Sequence, residues 1–253
     1  LRIRKNKTLK NAIEQYLQKH GFGQFRPKAV LFDMDGVIYN SMPNHARSWH
    51  LSMKEQGLDM AESDAYRYEG MRGMETIKLL ARQQWQRELT DEQALRMYQV
   101  KSRYFNQCPP AKEMPGIHQL MQQMQDDGLT IGIVTGSAQH TLLDQLEKTF
   151  AGLIKKEHIV TSYDVKHGKP APEPYQAGML KTNSQPWETI VVENAPLGIR
   201  AAVAAKCFTI AVNTGPLPDS TLLEEGANLL FKNINELCQP QGYAHSDRRR
   251  RAD

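Results

Sequence analysis

Short apolar runs alternate with amphipathic stretches over most of this chain. Ala29-Val30-Leu31-Phe32, Leu129-Thr130-Ile131-Gly132-Ile133-Val134, Ile159-Val160, Thr189-Ile190-Val191-Val192, Phe208-Thr209-Ile210-Ala211-Val212 and Leu229-Leu230-Phe231 have the length and β-branched content of buried strands. Between them, helical spacing runs over Ile117 to Asp127, Thr141 to Phe150, from Glu173 onward, Leu197 to Ala205 and Ser220 to Glu225. Strands separated by helices cannot pair as hairpins, so the pattern predicts an α/β fold with a parallel sheet covered on both faces.

Two stretches break the alternation. From Asn44 to about Met114 the spacing is helical throughout, with His45, Trp49, Leu51 and Met53 on one helix, Glu75 to Gln84 on a second, and Asp91 to Asn106 on a third opened by Thr90. A helical domain inserted after the first strand is expected. Ahead of that strand, Thr8 to His20 carries Leu9, Ile13, Tyr16 and Leu17 on one helical face and stops at Gly21-Phe22-Gly23. The expected division is an N-terminal helical extension (1–27), a core (28–42 and 113–238), a helical insert (43–112) and a disordered basic tail (239–253).

Charge adds little to this picture. The net charge is +4, but residues 1–10 and the four arginines Arg248 to Arg251 account for it; without the two ends, 23 basic residues face 26 acidic ones. A basic tail on a mildly acidic body is a poor nucleic-acid surface, and no nucleic-acid partner is expected. No apolar run has the length of a membrane span and the first ten residues lack the apolar stretch of a signal peptide, so a cytoplasmic monomer is expected. Cys108, Cys207 and Cys238 form no Cys-x-x-Cys pair and suggest neither a disulfide framework nor a zinc site.

The candidate chemistry lies where the strands end. Asp33 and Asp35 follow the first strand and are two residues apart, so both can leave on one side. Two close carboxylates repel unless a cation lies between them, which favours a hard divalent ion such as Mg²⁺. Thr135 closes the second strand, Glu193-Asn194 the fourth, and Lys169 sits in the loop after the third. Ligands of parallel sheets bind at that edge. Carboxylates, an amide, a hydroxyl and a lysine suit phosphoryl transfer: Asp33 as nucleophile, Asp35 as general acid and base, Thr135 with the amides after it as donors to the transferring group, and Lys169 as the neutralising charge.

These residues carry a resemblance. Phe32-Asp33-Met34-Asp35-Gly36-Val37, Val134-Thr135-Gly136-Ser137, Gly168-Lys169-Pro170-Ala171-Pro172-Glu173-Pro174 and Val191-Val192-Glu193-Asn194-Ala195-Pro196-Leu197-Gly198-Ile199 resemble, in order and spacing, the haloacid dehalogenase superfamily of aspartate-nucleophile phosphotransferases. Within it the chain is most similar to the β-phosphoglucomutase-like subgroup, whose helical cap follows the first strand. The resemblance implies a Rossmann-like core with an inserted cap, an aspartyl-phosphate on Asp33, Mg²⁺ held by Asp33, the main-chain carbonyl of Asp35 and the Glu193-Asn194 pair, and phosphate contacts from Gly136 and Ser137. It also implies that the cap selects the substrate, with His45 and Lys101 at positions the mutases use near the hinge and the leaving group.

Two departures bear on the substrate. The family commonly has an acidic pair where this chain has Glu193-Asn194; the amide makes the site less anionic by one charge. In the cap turn Tyr68-Glu69-Gly70-Met71-Arg72-Gly73, glycine stands where the mutases carry a phosphate-gripping arginine. Either Arg72 stands in for it or a sugar bisphosphate's second phosphate has no holder. Glu69, a cap carboxylate aimed at the site, would repel a phosphate unless a metal or its water lay between, and together with Glu-Asn it resembles the inorganic pyrophosphatase branch. The expected activity is Mg²⁺-dependent hydrolysis of a small phosphate compound such as pyrophosphate. The alternative is a mutase interconverting β-glucose 1-phosphate and glucose 6-phosphate.

Overall fold

The computed structural model describes residues 7–137 and 140–238. Six parallel strands form one sheet in the order β3-β2-β1-β4-β5-β6: β1 (Ala29–Phe32), β2 (Thr130–Val134), β3 (Ile159–Val160), β4 (Thr189–Glu193), β5 (Phe208–Val212) and β6 (Leu229–Phe231). The strand order reverses direction around β1, which is flanked by β2 and β4, and a crevice at that switch point is where such sheets take ligands. Every residue of β1 is fully buried, yet the strand alternates: Val30 and Phe32 join one core and Leu31 the other. The first core also takes in α6 (Ile117–Asp126) and Leu146 of α7 (His140–Thr149); the second includes Tyr175 and Met179 of α8 (Glu173–Lys181) and Ala201 and Ala202 of α9 (Pro196–Ala204).

The inserted stretch folds as four helices, α2 (Met42–Glu55), α3 (Glu62–Ala65), α4 (Gly73–Trp85) and α5 (Asp91–Asn106), around a cluster of its own that includes Trp49, Met53, Ile77, Leu80 and Ala94. Thr90 caps α5, accepting from the Gln93 amide while the Gln93 side chain accepts from Thr90. The chain enters and leaves this layer side by side: the Asn40 amide donates to Lys112 O at 2.8 Å, and the Met114 amide to Ile38 O at 2.8 Å. Short α10 (Asp219–Glu224) and α11 (Ile234–Cys238) are the last helices among the described residues.

The N-terminal extension is built into the core. Helix α1 (Lys7–His20) places Tyr16, fully buried, edge-on to Phe25 and Phe208, and its hydroxyl reaches both Pro186 O and Lys206 O at 2.9 Å. The tail expected to be disordered, 239–253, lies outside the described residues. No helix among the described residues is long and apolar enough to cross a membrane.

Candidate active site

Asp33 is delivered by β1, whose ladder continues one residue further: the Asp33 amide donates to Val192 O at 3.0 Å. The chain then turns sharply, the Gly36 amide donating to Tyr39 O and the Ile38 and Tyr39 amides both donating to Met34 O. Gly36 has φ +80°, and a Cβ there would lie 2.1 Å from Asn194 Nδ2 and 3.3 Å from Glu69 Oε1. Only glycine permits this turn beneath those two side chains.

Lys169 is fully buried and binds three oxygens: Asp33 Oδ1 at 2.5 Å, Glu193 Oε1 at 2.7 Å and Val134 O at 3.1 Å. Burial disfavours its charge, but the two carboxylates outweigh burial and raise its pKa, so the ammonium persists. One ammonium between two buried carboxylates leaves a negative charge over. Burial pushes the Asp33 carboxyl well above the usual range against the pull of Lys169, and the charges of Glu193 and Asp35 push the same way.

Glu193 is placed otherwise than the sequence led us to expect. Its Oε1 accepts from Lys169 and from the Tyr175 hydroxyl at 2.9 Å, and its Oε2 from the amides of Asn194 and Ala195 at 2.8 and 2.9 Å. Four donors fill its two oxygens, so it anchors Lys169 and does not reach out as a metal ligand. Asn194 is the member of the pair with a vacant acceptor: Nδ2 donates to Glu69 Oε1 at 2.8 Å, and Oδ1 is buried with no hydrogen-bond partner. Tyr175 was not anticipated; it is one apolar-looking position in a helix, and nothing local marks its hydroxyl.

Asp35 heads a second chain of contacts. Its Oδ1 accepts from Ser41 Oγ at 2.6 Å and lies 3.1 Å from His45 Nε2, while Lys101 Nζ lies 2.8 Å from His45 Nδ1. A donor at Lys101 makes Nδ1 the acceptor and leaves the imidazole proton on Nε2, facing Asp35. Burial alone would raise the Asp35 pKa, but His45, Ser41 and Lys101 together hold it below the ordinary value. Lys101 is 1 % exposed, boxed by Phe105, Trp49 and Tyr98, and burial pushes its pKa down to about 7.

These groups border a cavity of about 50 Å³ between the sheet edge and the helical insert, lined from below by Asp33, Asp35, Gly136 and Ser137 and from above by residues that include Glu69, His45, Lys101 and Tyr98. Thr135 is buried beside it and accepts the Ser137 amide at 2.9 Å. Glu69 is itself buried, and burial together with the charges of Asp33, Glu193 and Asp35 raises its pKa well above the usual range, against the Asn194 hydrogen bond. Arg72 departs from expectation: it is not part of the cavity wall, and its Nη1 donates to Lys166 O at 2.7 Å. As the N-cap residue of α4 it has extended backbone, and its side chain runs along the core loop instead of into the site.

Among the described residues no three His, Cys, Asp or Glu side chains converge as a ready-made metal cluster. A hard cation is nevertheless suited to this edge. Asp33, Asp35, Glu69 and Glu193 are all buried with an excess of negative charge, and the orphaned Asn194 Oδ1 is the neutral oxygen such an ion accepts.

Comparison with known proteins agrees with this geometry. The chain is 27 % identical over 220 residues to hexitol phosphatase A of Escherichia coli (strain K12), covering 86 % of this chain and 97 % of that protein. It is 26 % identical over 186 residues to pyrophosphatase PpaX of Oceanobacillus iheyensis, covering 73 % and 83 %. A solved structure described as "Putative beta-phosphoglucomutase from Bacteroides vulgatus" superposes with a TM-score of 0.87 at 48 % identity, over 90 % of this chain and 93 % of that one. The family model of haloacid dehalogenase-like hydrolases matches residues 30–212, from the second residue of β1 to the end of β5 and across the whole helical insert. With Asp33, Thr135, Lys169 and the Glu193-Asn194 pair gathered at one sheet edge, the chain belongs to the haloacid dehalogenase-like hydrolase family and is an enzyme of its phosphatase or phosphotransferase kind.

Proposed function

We propose that this enzyme is a Mg²⁺-dependent phosphohydrolase whose substrate is a small, compact phosphate compound, with inorganic pyrophosphate the first candidate. The observation that carries the proposal is the buried Glu69 carboxylate, hydrogen-bonded to Asn194 over a cavity of about 50 Å³. A buried carboxyl in the roof, whose ionisation burial and its acidic neighbours oppose, is ionised only with a cation beside it and so favours a phosphate that arrives with its charge covered by metal. Arg72, the cation that could grip the distal phosphate of a sugar bisphosphate, faces Lys166 instead.

Asp33, the main-chain carbonyl of Asp35 and Asn194 Oδ1 would hold the ion. When bound, Mg²⁺ supplies positive charge that draws the phosphate towards Asp33 and offsets charge built up in transfer. In the reaction Asp33 attacks phosphorus and becomes an aspartyl-phosphate, while Lys169, pinned by Glu193, neutralises the transferring oxygens. The Thr135 hydroxyl, whose oxygen is fixed by accepting the Ser137 amide, and the Gly136 amide donate to those oxygens. Asp35 then takes a proton from the attacking water. Its lowered pKa keeps it ionised, able to accept that proton but a poor donor, and phosphate leaves pyrophosphate with little need of a proton, whereas a sugar alkoxide needs one. The pyrophosphatase among the relatives is in keeping with this reading.

A β-phosphoglucomutase is the second reading, favoured by the 48 % identity to the Bacteroides vulgatus structure described in those terms. Assays of phosphate release from pyrophosphate and of β-glucose 1-phosphate conversion, each with Mg²⁺, separate the two. Turnover of pyrophosphate that fails in Glu69→Ala supports the first; efficient isomerisation without net phosphate release supports the second and removes the first.

A further inference from the structure

The cap turn between α3 and α4 touches the core loops that carry Asn194, Lys169 and Gly136. Glu69 meets Asn194, and Gly70 lies against both Lys169 and Gly136: a Cβ on Gly70 would be 3.0 Å from Lys169 Cδ, and one on Gly136 would be 2.5 Å from Gly70 O. Arg72 completes the row on the 166–168 segment. A Cβ on Gly168 would sit 2.5 Å from Arg72 Cγ and 3.0 Å from its Cδ, so glycine is what lets the arginine stem lie along this backbone. The guanidinium donates to Lys166 O, with Glu75 3.8 Å away, and the nearby Gly168 amide and His167 help to offset the burial that raises the Glu75 pKa. From the core side the same segment is held by Glu173, which accepts from the amides of Lys166 and His167 and from the His167 ring.

We infer that Arg72 is a positioning residue: it docks the closed cap onto the 166–168 segment and so fixes Lys169, one residue further on, against Asp33. The inference deepens the reading given above, because it takes Lys169 as the neutralising charge of the transfer. The loop carrying Lys169 is gripped on both sides, by Glu173 of its own domain and by Arg72 with Glu75 of the cap. Closure and alignment of the lysine become one event. An arginine acting this way contributes to the chemical step and not to ground-state binding of phosphate.

The test combines kinetics with amide hydrogen exchange on Arg72→Ala, Gly168→Ala and the double variant. In Arg72→Ala, kcat on pyrophosphate is expected to fall about tenfold or more, as for displaced catalytic groups, while KM and inhibition by inorganic phosphate change less than about threefold. Exchange, measured without substrate, should rise together over residues 68–76 and 165–170. The double variant should be little worse than the worse single one, since both break the same contact. A large rise in KM and in the phosphate inhibition constant with kcat intact would make Arg72 a substrate ligand and overturn the inference, as would unchanged exchange at 165–170 or multiplying losses. If the wild-type enzyme released no phosphate from pyrophosphate, the substrate assignment would fall, and the exchange result alone would decide the role of Arg72.

Discussion

Asn194 and Glu69 meet across the seam between the sheet edge and the cap, Nδ2 to Oε1 at 2.8 Å, and the bond leaves Asn194 Oδ1 buried and unpaired. The amide therefore faces two ways, holding a cap carboxylate with its nitrogen and offering its oxygen to a cation. Asn194→Ala should raise the Mg²⁺ concentration for half-maximal activity by about tenfold, the usual cost of losing a supporting metal contact. In Asn194→Asp a carboxylate replaces the donor beside Glu69. Without Mg²⁺ this variant should be less stable than the wild type by about 1–3 kcal/mol, and added Mg²⁺ should narrow the gap. Thermal unfolding with and without MgCl₂ measures both effects.

Lys101 makes stability depend on pH. In the unfolded chain it keeps its proton up to the ordinary value of 10.5, but in the folded protein burial lowers its pKa to about 7. Between these values the unfolded state binds more protons, so this residue's contribution to stability improves as pH rises through the window and is at its worst below about 7. Lys101→Met, which keeps the length and removes the charge, should be more stable than the wild type near pH 6, by something on the order of a few kcal/mol. The advantage should shrink towards pH 10. Urea unfolding of both proteins across that range checks the slope; a constant difference would contradict it.

Tyr16 ties the N-terminal helix to the core at two backbone oxygens, Pro186 O and Lys206 O. Tyr16→Phe keeps the aromatic contacts with Phe25 and Phe208 and removes the hydroxyl from both carbonyls; Pro186 O keeps the Thr189 amide, so the loss is about 1 kcal/mol. Because Tyr16 sits far along the sheet from Asp33, kcat should be unchanged while the unfolding midpoint falls. Chemical denaturation alongside a standard activity assay measures the two together.

The sequence pattern carried much of this fold because its signals are local. Each strand is a short apolar run, and β3, β5 and β6 match the predicted bounds residue for residue. α5 starts at Asp91 because Thr90 caps it, a signal legible over four residues. The polar residues at the strand ends stood out against apolar surroundings, so Asp33, Thr135, Lys169 and Asn194 were visible before their distances were. What escaped depends on partners distant in the chain. Glu193 reads as a metal ligand until Tyr175 and Lys169 are seen to use its oxygens. Arg72 reads as a phosphate ligand until the path of the 166–168 loop is known, and the four-residue α3 is too short to show a period. The helix at Tyr16 was legible as a helix, but its role rests on residues at positions 186 and 206.

The account rests on Asp33 receiving the phosphoryl group. Acid quench of the enzyme during turnover of ³²P-labelled pyrophosphate with Mg²⁺, followed by proteolysis, should leave label on the peptide that contains Asp33, and Asp33→Asn should carry none and release no phosphate. Turnover that leaves the protein unlabelled, with Asp33→Asn still active, would contradict it.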